Sequence, residues 1–189
     1  MHDQHQLLFI QGGGAGVHDE WDSKLVESLR HELGQDFEVR YPRMPREEEP
    51  NYATWREAIE QAFAKLRDGA ILVAHSVGAT LLIKMLAERS TERKFGALIF
   101  IAAPFIGDSG WSTDDLQFPA DLGAHLPPDV PIHFFHGLED QVAPPSHMDL
   151  YARAIPQAHV HRAAGRDHQL DNDLSGVART IRQLTTERI

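Results

Sequence analysis

The stretch Gly69-Ala-Ile-Leu-Val-Ala-His-Ser-Val-Gly-Ala-Thr-Leu-Leu, residues 69–82, passes without a break from an apolar, β-branched run into a helical one, with Ser76 at the joint. A strand that reaches a serine and turns at once into a helix, with small residues two before it (Ala74) and two after it (Gly78), has the pattern of a nucleophile elbow. The serine must take a costly backbone conformation to lift its hydroxyl out of the turn, and small neighbours let strand and helix pass closely. A helix beginning at Val77 also directs unpaired backbone N–H groups and its positive dipole end at the space beside the serine, where an oxyanion would be stabilised.

Upstream of this joint, Leu7–Ile10 is a short apolar run that ends on Gln11 and the glycine-rich turn 12–16. It suits a strand buried on both faces of a parallel sheet. Residues 19–33 place Trp21, Leu25, Val26, Leu29 and Leu33 on one helical stripe, with Gly34 as the stop. Residues 37–41 read as a second strand, and 42–50 as a charged, proline-marked loop expected to be exposed and uninformative. Asn51 is the cap of a helix over 52–66 that turns Trp55, Ile59, Ala62, Phe63 and Leu66 inward.

Downstream of it, residues 97–103 and 131–136 read as buried strands, 145–155 as a short helix, 158–161 as a last strand and 171–187 as a closing helix. Between two of these strands, residues 104–130 mix acids with isolated bulky groups. Long connections of this kind are more often functional than idle, so a flap-like insertion is expected there. The alternation of strands and helices implies one α/β layered domain over residues 1–189, with a mainly parallel sheet of about six strands. Ligands of such sheets bind at the carboxyl ends of the strands.

Composition narrows the function classes. Lys and Arg are outnumbered 18 to 28 by Asp and Glu, for a formal net charge of -10, which argues against a nucleic-acid partner. The absence of cysteine rules out disulfides and thiolate metal sites and fits a cytoplasmic protein. The polar N-terminal residues lead into too short an apolar run for a signal peptide or membrane anchor.

A serine hydroxyl is a poor nucleophile without a base in reach and a group that orients the base. In sheets with this kind of elbow the partners follow in the order serine, acid, histidine. Asp140, in the turn after the strand 131–136, fills the acid position, and its Gly-x-x-Asp spacing favours it over Glu139. His168, after the last strand, fills the base position.

Taken together, Gln-Gly-Gly-Gly-Ala-Gly at 11–16, Ala-His-Ser-Val-Gly at 74–78, Gly-Leu-Glu-Asp at 137–140 and Asp-His-Gln-Leu at 167–170 resemble the alpha/beta-hydrolase superfamily over nearly the whole chain. The chain is most similar to the compact serine hydrolases of the retinoblastoma-binding-protein-nine-like group. The resemblance implies a three-layer alpha/beta-hydrolase fold with a minimal cap, Ser76 as nucleophile, His168 as general base and acid, and Asp140 as the group supporting the imidazole. It also implies an oxyanion hole from the backbone of Val77 and of the glycine loop, Gly13 or Gly14. Two positions depart from the family pattern: Ala74 stands where glycine is commoner, and Gln11 where many relatives have histidine.

The glycine turn does not meet the G-x-G-x-x-G order of a dinucleotide loop, because residue 17 is Val. Among the 12 histidines no spacing matches a zinc signature. His75 reads as structural or as a pocket wall, and Trp111 and Phe118 either face substrate or anchor their segment to the core. The expected function is a serine esterase acting on small acyl esters through an acyl-enzyme, less readily on thioesters or amides, without cofactor, metal, nucleic acid or membrane partner. The alternative from another class is a hydrolase-shaped interaction module with a vestigial triad.

Overall fold

The computed structural model describes residues 4–88, 93–107, 110 and 116–186. Its centre is a parallel six-stranded sheet in the order β2-β1-β3-β4-β5-β6, formed by β1 (His5–Ile10), β2 (Phe37–Arg40), β3 (Ile71–His75), β4 (Ala97–Ile101), β5 (Ile132–Gly137) and β6 (His159–Ala163). The longer helices are α1 (Asp22–Leu33), α2 (Tyr52–Phe63), α3 (Ser76–Glu88), α5 (Ser146–Ala154) and α6 (Ser175–Thr186), with a one-turn α4 (Leu122–His125).

Alternation along each strand sends side chains to two cores, which explains why these runs are apolar throughout. Leu8, Ile10, Leu72, Ala74, Leu98, Phe100 and Phe134 meet α2, α3 and α5 through Trp55, Ile59, Leu82 and Tyr151. On the other face, Leu7, Phe9, Ile71, Val73, Ile99 and Ile101 meet α1 and α6 through Leu25, Leu29, Val177 and Ile181. The result is three layers.

The strand order reverses between β1 and β3, because β1 is followed in the sheet by β2 on one side and β3 on the other. Connections leaving two such neighbours diverge to opposite faces and open a crevice between them. The glycine turn after β1 and Ser76 after β3 therefore share one place.

Four expectations change in detail. Trp21 is 51% exposed rather than part of the buried stripe. A turn of π-helix, Val17–Trp21, precedes α1, and its wider winding rotates Trp21 outward and brings Asp22 onto the buried face. Helix α2 keeps its Asn51 cap, whose Oδ1 accepts from the Thr54 amide at 3.2 Å, but stops at Phe63. The closing helix begins at Ser175, not 171, because Leu170, Asp171 and Asn172 all take positive φ. Side-chain oxygens of Asp167 and Asp173 hold that turn, accepting from the amides of Asp171 and Ser175, each at 2.9 Å.

The fourth change concerns loop 42–50, which is neither idle nor wholly exposed. Met44 is buried in the core, Trp55 Nε1 donates to the Pro45 carbonyl at 2.8 Å, and Glu47 reaches across to the glycine turn. The missing signal was periodicity: the loop is held by single polar contacts, which leave no repeating pattern to read.

Candidate active site

Ser76 opens α3 directly from β3 and takes φ 52°, the strained left-handed conformation that a strand-to-helix elbow demands of its nucleophile. What allows the sharp turn is Gly78. A Cβ built there would lie 1.9 Å from the Gln11 carbonyl oxygen, so only glycine lets α3 lean against the end of β1.

Ser76 Oγ lies 2.9 Å from His168 Nε2, and His168 Nδ1 lies 2.8 Å from Asp140 Oδ2. The carboxylate can only accept, so Nδ1 carries the proton and Nε2 is free to accept from the serine hydroxyl. Three residues separated by 64 and 28 positions in sequence are thus joined in one line of hydrogen bonds.

Asp140 is fixed before it meets His168. Its Oδ1 accepts from the amides of Val142 and Ala143 at 2.8 and 2.9 Å, closing a tight turn after β5. Its Oδ2 is shared with His136 Nε2 at 3.1 Å, which also donates to the Ala143 carbonyl at 2.8 Å. Burial works to raise the Asp140 pKa, but the bonds from His136 and His168 and the Ala143 amide outweigh it and hold the carboxyl far below the usual range. For His168, burial is the largest influence and disfavours the charged ring. Asp140 opposes it while His75 adds to it, and the imidazole stays below its ordinary value.

The glycine turn faces this line from β1. Gly13 is wedged between Pro50 and Val77: a Cβ there would fall 2.3 Å from Pro50 Cγ and 2.7 Å from Val77 Cγ1. The amides of its neighbours are occupied, Gly12 donating to Asp22 Oδ2 at 2.7 Å and Gly14 to the Glu47 carbonyl at 2.6 Å. Gly14 is therefore corrected as an oxyanion donor, since its N–H already has a partner. The Gly13 amide has no hydrogen-bond partner among the described residues.

Gln11 and Glu47 clamp this turn from below. Gln11 is fully buried; its Nε2 donates to Glu47 Oε2 at 2.6 Å and to the Gly12 carbonyl at 3.2 Å, while its Oε1 accepts from the Met44 amide at 2.8 Å. Glu47 Oε2 also accepts from the His18 amide at 2.9 Å.

The expected pocket residues fare differently. His75 is 1% exposed and lies beneath the site, so it is not a pocket wall. Its Nδ1 faces the Asp22 carboxylate at 2.9 Å and its Nε2 the His168 carbonyl at 3.1 Å. Phe118 packs edge-on against Phe105, with ring centroids 5.4 Å apart, and leans on Tyr151 at 6.0 Å, which makes it an anchor for its segment. Trp111 lies outside the described residues.

The roles of Asp22, Glu47 and His136 escaped the sequence reading, which marked Gln11 only as a departure from the family pattern. Only Asp22 left a signal there: an acid three and four residues before Leu25 and Val26, at the spacing of a buried stripe, needs a partner in the core.

Among the described residues no group of three or more His, Asp or Glu side chains is arranged to hold a metal ion. His133, His159 and His161 stack with near-parallel rings instead of converging. No helix of the described residues is long and apolar enough to cross a membrane.

Comparison with known proteins agrees with this architecture. Residues 7–169 match a family model described as serine hydrolase. No curated protein matches the chain in sequence. Among solved structures, the ydeN gene product of B. subtilis superposes with a TM-score of 0.77 at 17% identity, over 97% of this chain and 100% of that one. Est1E from Butyrivibrio proteoclasticus gives 0.70 at 15% identity, covering 99% and 89%. The meta-cleavage product hydrolase CumD from Pseudomonas fluorescens IP01 gives 0.73 at 14% identity, covering 100% and 93%. At these identities the likeness is one of fold, the alpha/beta-hydrolase fold.

Proposed function

The chain belongs to the serine hydrolase family, and we propose that within it this protein is a carboxylesterase of small acyl esters that works through Ser76, His168 and Asp140. The observation that carries this reading is the unbroken hydrogen-bond line from Ser76 Oγ through the His168 ring to Asp140 Oδ2, at 2.9 and 2.8 Å.

In this reaction Ser76 Oγ attacks the ester carbonyl while His168 Nε2 takes its proton. The resulting oxyanion is met by the Gly13 and Val77 amides, the first unpartnered among the described residues and the second in the opening turn of α3. His168 returns the proton to the departing alkoxide, leaving an acyl-enzyme. Water then attacks the acyl-enzyme, giving a proton to His168, which passes it to Ser76 Oγ as the acid is released.

A preference for small acyl groups rests on the shortness of the segment between β4 and β5, whose beginning is tied to the core. The Pro104 carbonyl accepts from Thr80 Oγ1 at 2.6 Å and from the Tyr151 hydroxyl at 2.8 Å. The four motifs support a place beside the retinoblastoma-binding-protein-nine-like hydrolases, as one domain. The cysteine-free sequence is in keeping with the cytoplasm.

A fluorophosphonate probe tests the reading, together with p-nitrophenyl acetate, butyrate and octanoate. Labelling of the wild type that vanishes in Ser76→Ala, with acetate or butyrate turned over fastest, is the expected result. A wild-type protein that neither labels nor hydrolyses any ester would sink it and favour an interaction module with a vestigial site.

A further inference from the structure

Beneath the triad lies a second, fully enclosed acid–histidine pair. Asp22 and His75 are 0% and 1% exposed. Asp22 receives the Gly12 amide at 2.7 Å on Oδ2, Gln169 Nε2 at 3.2 Å on Oδ1, and His75 Nδ1 at 2.9 Å. On its far side His75 Nε2 is 3.1 Å from the main-chain carbonyl of His168.

Both partners of the His75 ring are acceptors only: a carboxylate at Nδ1 and a carbonyl at Nε2. Each contact needs an N–H, and only the imidazolium has two. A neutral His75 would leave one ring nitrogen lone pair facing an oxygen lone pair inside the core, a costly arrangement. An enclosed Asp22 carboxylate likewise needs a cation, and the one in contact is His75.

We infer that His75 is held as an imidazolium between Asp22 and the His168 carbonyl, and that this buried ion pair is a positioning device tying the base-bearing turn to the glycine turn. The chain of contacts runs from the Gly12 amide, next to the Gly13 donor, through Asp22 and His75 to the backbone of His168. Gln169, the residue after the base, closes a second link to the same carboxylate. One pair thus sets the distance between the group that takes the proton and the group that meets the oxyanion. As a role in the hydrolytic reaction, this rests on the function proposed above.

The pair also acts through charge. The His75 and His168 rings are 4.9 Å apart, so a fixed positive charge on His75 disfavours protonation of His168 and keeps the base free at lower pH. The titratable groups facing His75 are Asp22 from α1, Asp140 from the turn after β5 and the His168 ring itself; those facing His168 are Asp140, His75 and His136. Burial pushes the His75 pKa down, but the Asp22 charge and hydrogen bond and the His168 carbonyl more than reverse it, so the ring is raised above its ordinary value.

Two measurements test this, one independent of catalysis. Imidazole ¹⁵N–¹H NMR spectra of the full chain, with His75 assigned through His75→Gln, are expected to show both ring N–H groups on His75 at pH 8 and their loss at that pH in Asp22→Asn. A single ring N–H on His75 in the wild type at pH 8 would overturn the inference, whatever the enzyme does. The kinetic arm uses p-nitrophenyl acetate and His75→Gln, which keeps a donor for the His168 carbonyl and removes the charge. The acid limb of kcat/KM is expected to move up by on the order of one pH unit, while kcat falls by about tenfold to 10²-fold through looser positioning. A limb that stays in place overturns the electrostatic role. If the wild type shows no hydrolysis and no fluorophosphonate labelling, the proposed function fails, and the NMR arm still decides the state of His75.

Discussion

The Gln11 carbonyl oxygen occupies the space where a side chain on Gly78 would begin, 1.9 Å from an ideal Cβ. Backbone of β1 and backbone of α3 are thereby in direct contact, and the glycine turn starts from that point. Gly78→Ala must push the two apart. Overpacking of this kind costs about 1–3 kcal/mol, more where backbone is the obstacle, and the shift separates Gly13 from Val77. The expected outcome in urea unfolding is a loss of at least about 2 kcal/mol, with ester hydrolysis falling even where the protein remains folded. Unchanged stability and rate would mean that the close approach is not required.

Glu47 grips the glycine turn from a loop that carries no catalytic group. Its main-chain carbonyl takes the Gly14 amide and its carboxylate takes Gln11 Nε2 and the His18 amide. Losing a whole oxyanion donor costs about 10²- to 10³-fold in kcat, and a loosened donor costs less. Glu47→Ala is expected to lower kcat by about tenfold and to shift KM much less. Steady-state kinetics with p-nitrophenyl acetate decide it; an effect confined to KM would contradict a role in holding the turn.

In the proposed reaction His168 must be neutral to accept the serine proton, so the pH at which it charges sets the acid limb. Burial, reinforced by the positive His75, lowers the His168 pKa against the pull of Asp140. Activity should therefore persist below the ordinary imidazole value of 6.5 and fall only at more acid pH. A kcat/KM profile whose acid limb lies at pH 7 or above would exclude this setting of the base.

In the proposed reaction Asp140 keeps the His168 proton on Nδ1 and would support the imidazolium formed during attack. Asp140→Asn replaces an acceptor with an amide that can present N–H to the ring and favour the wrong tautomer. A fall in kcat of about 10³- to 10⁴-fold is expected, with the fold retained by circular dichroism. A loss of less than tenfold would remove Asp140 from the mechanism.

Away from the site, His133 on β5 is enclosed by the stacked rings of His159 and His161, and its Nδ1 lies 2.9 Å from His161 Nε2. Burial, with the charges of the two neighbouring histidines, lowers its pKa from 6.5 to about 4. Between those values the unfolded chain holds a proton that the folded chain rejects, so stability is full above about pH 6.5 and declines as the pH falls toward 4. Chemical denaturation at pH 7.5 and pH 5 is expected to show a loss about 1–2 kcal/mol larger in the wild type than in His133→Phe. Equal losses would refute the assignment.

Much of this was legible before the fold was known because it depends on local pattern. The run from Ile71 to Leu82 contains its own change of period, and the apolar strands announce burial on two faces. The order of Ser76, Asp140 and His168 names three residues that the fold joins in one line of hydrogen bonds. The contacts and phase changes outside the reading had no such pattern. Gln11 and Glu47 are single polar side chains meeting across 36 positions, and Trp21 and Asp22 exchange places because a π-turn changes the phase of one helix.

Sequence alone determined the alternation of strands and helices and the chain order in which Ser76, Asp140 and His168 follow their strands, because apolar period, small residues at a tight turn and residue type are properties of neighbours along the chain. Tertiary structure alone decided which amide of the glycine turn stays unpartnered and which acid pairs with His75. Those outcomes depend on hydrogen-bond competition between groups brought together through space: Gly12 is claimed by Asp22 and Gly14 by Glu47, while Asp22 lies 53 positions from His75. The left-handed turn of Ser76 is common to both accounts. Its small flanking residues predict it, and contact between Gly78 and the end of β1 holds it there.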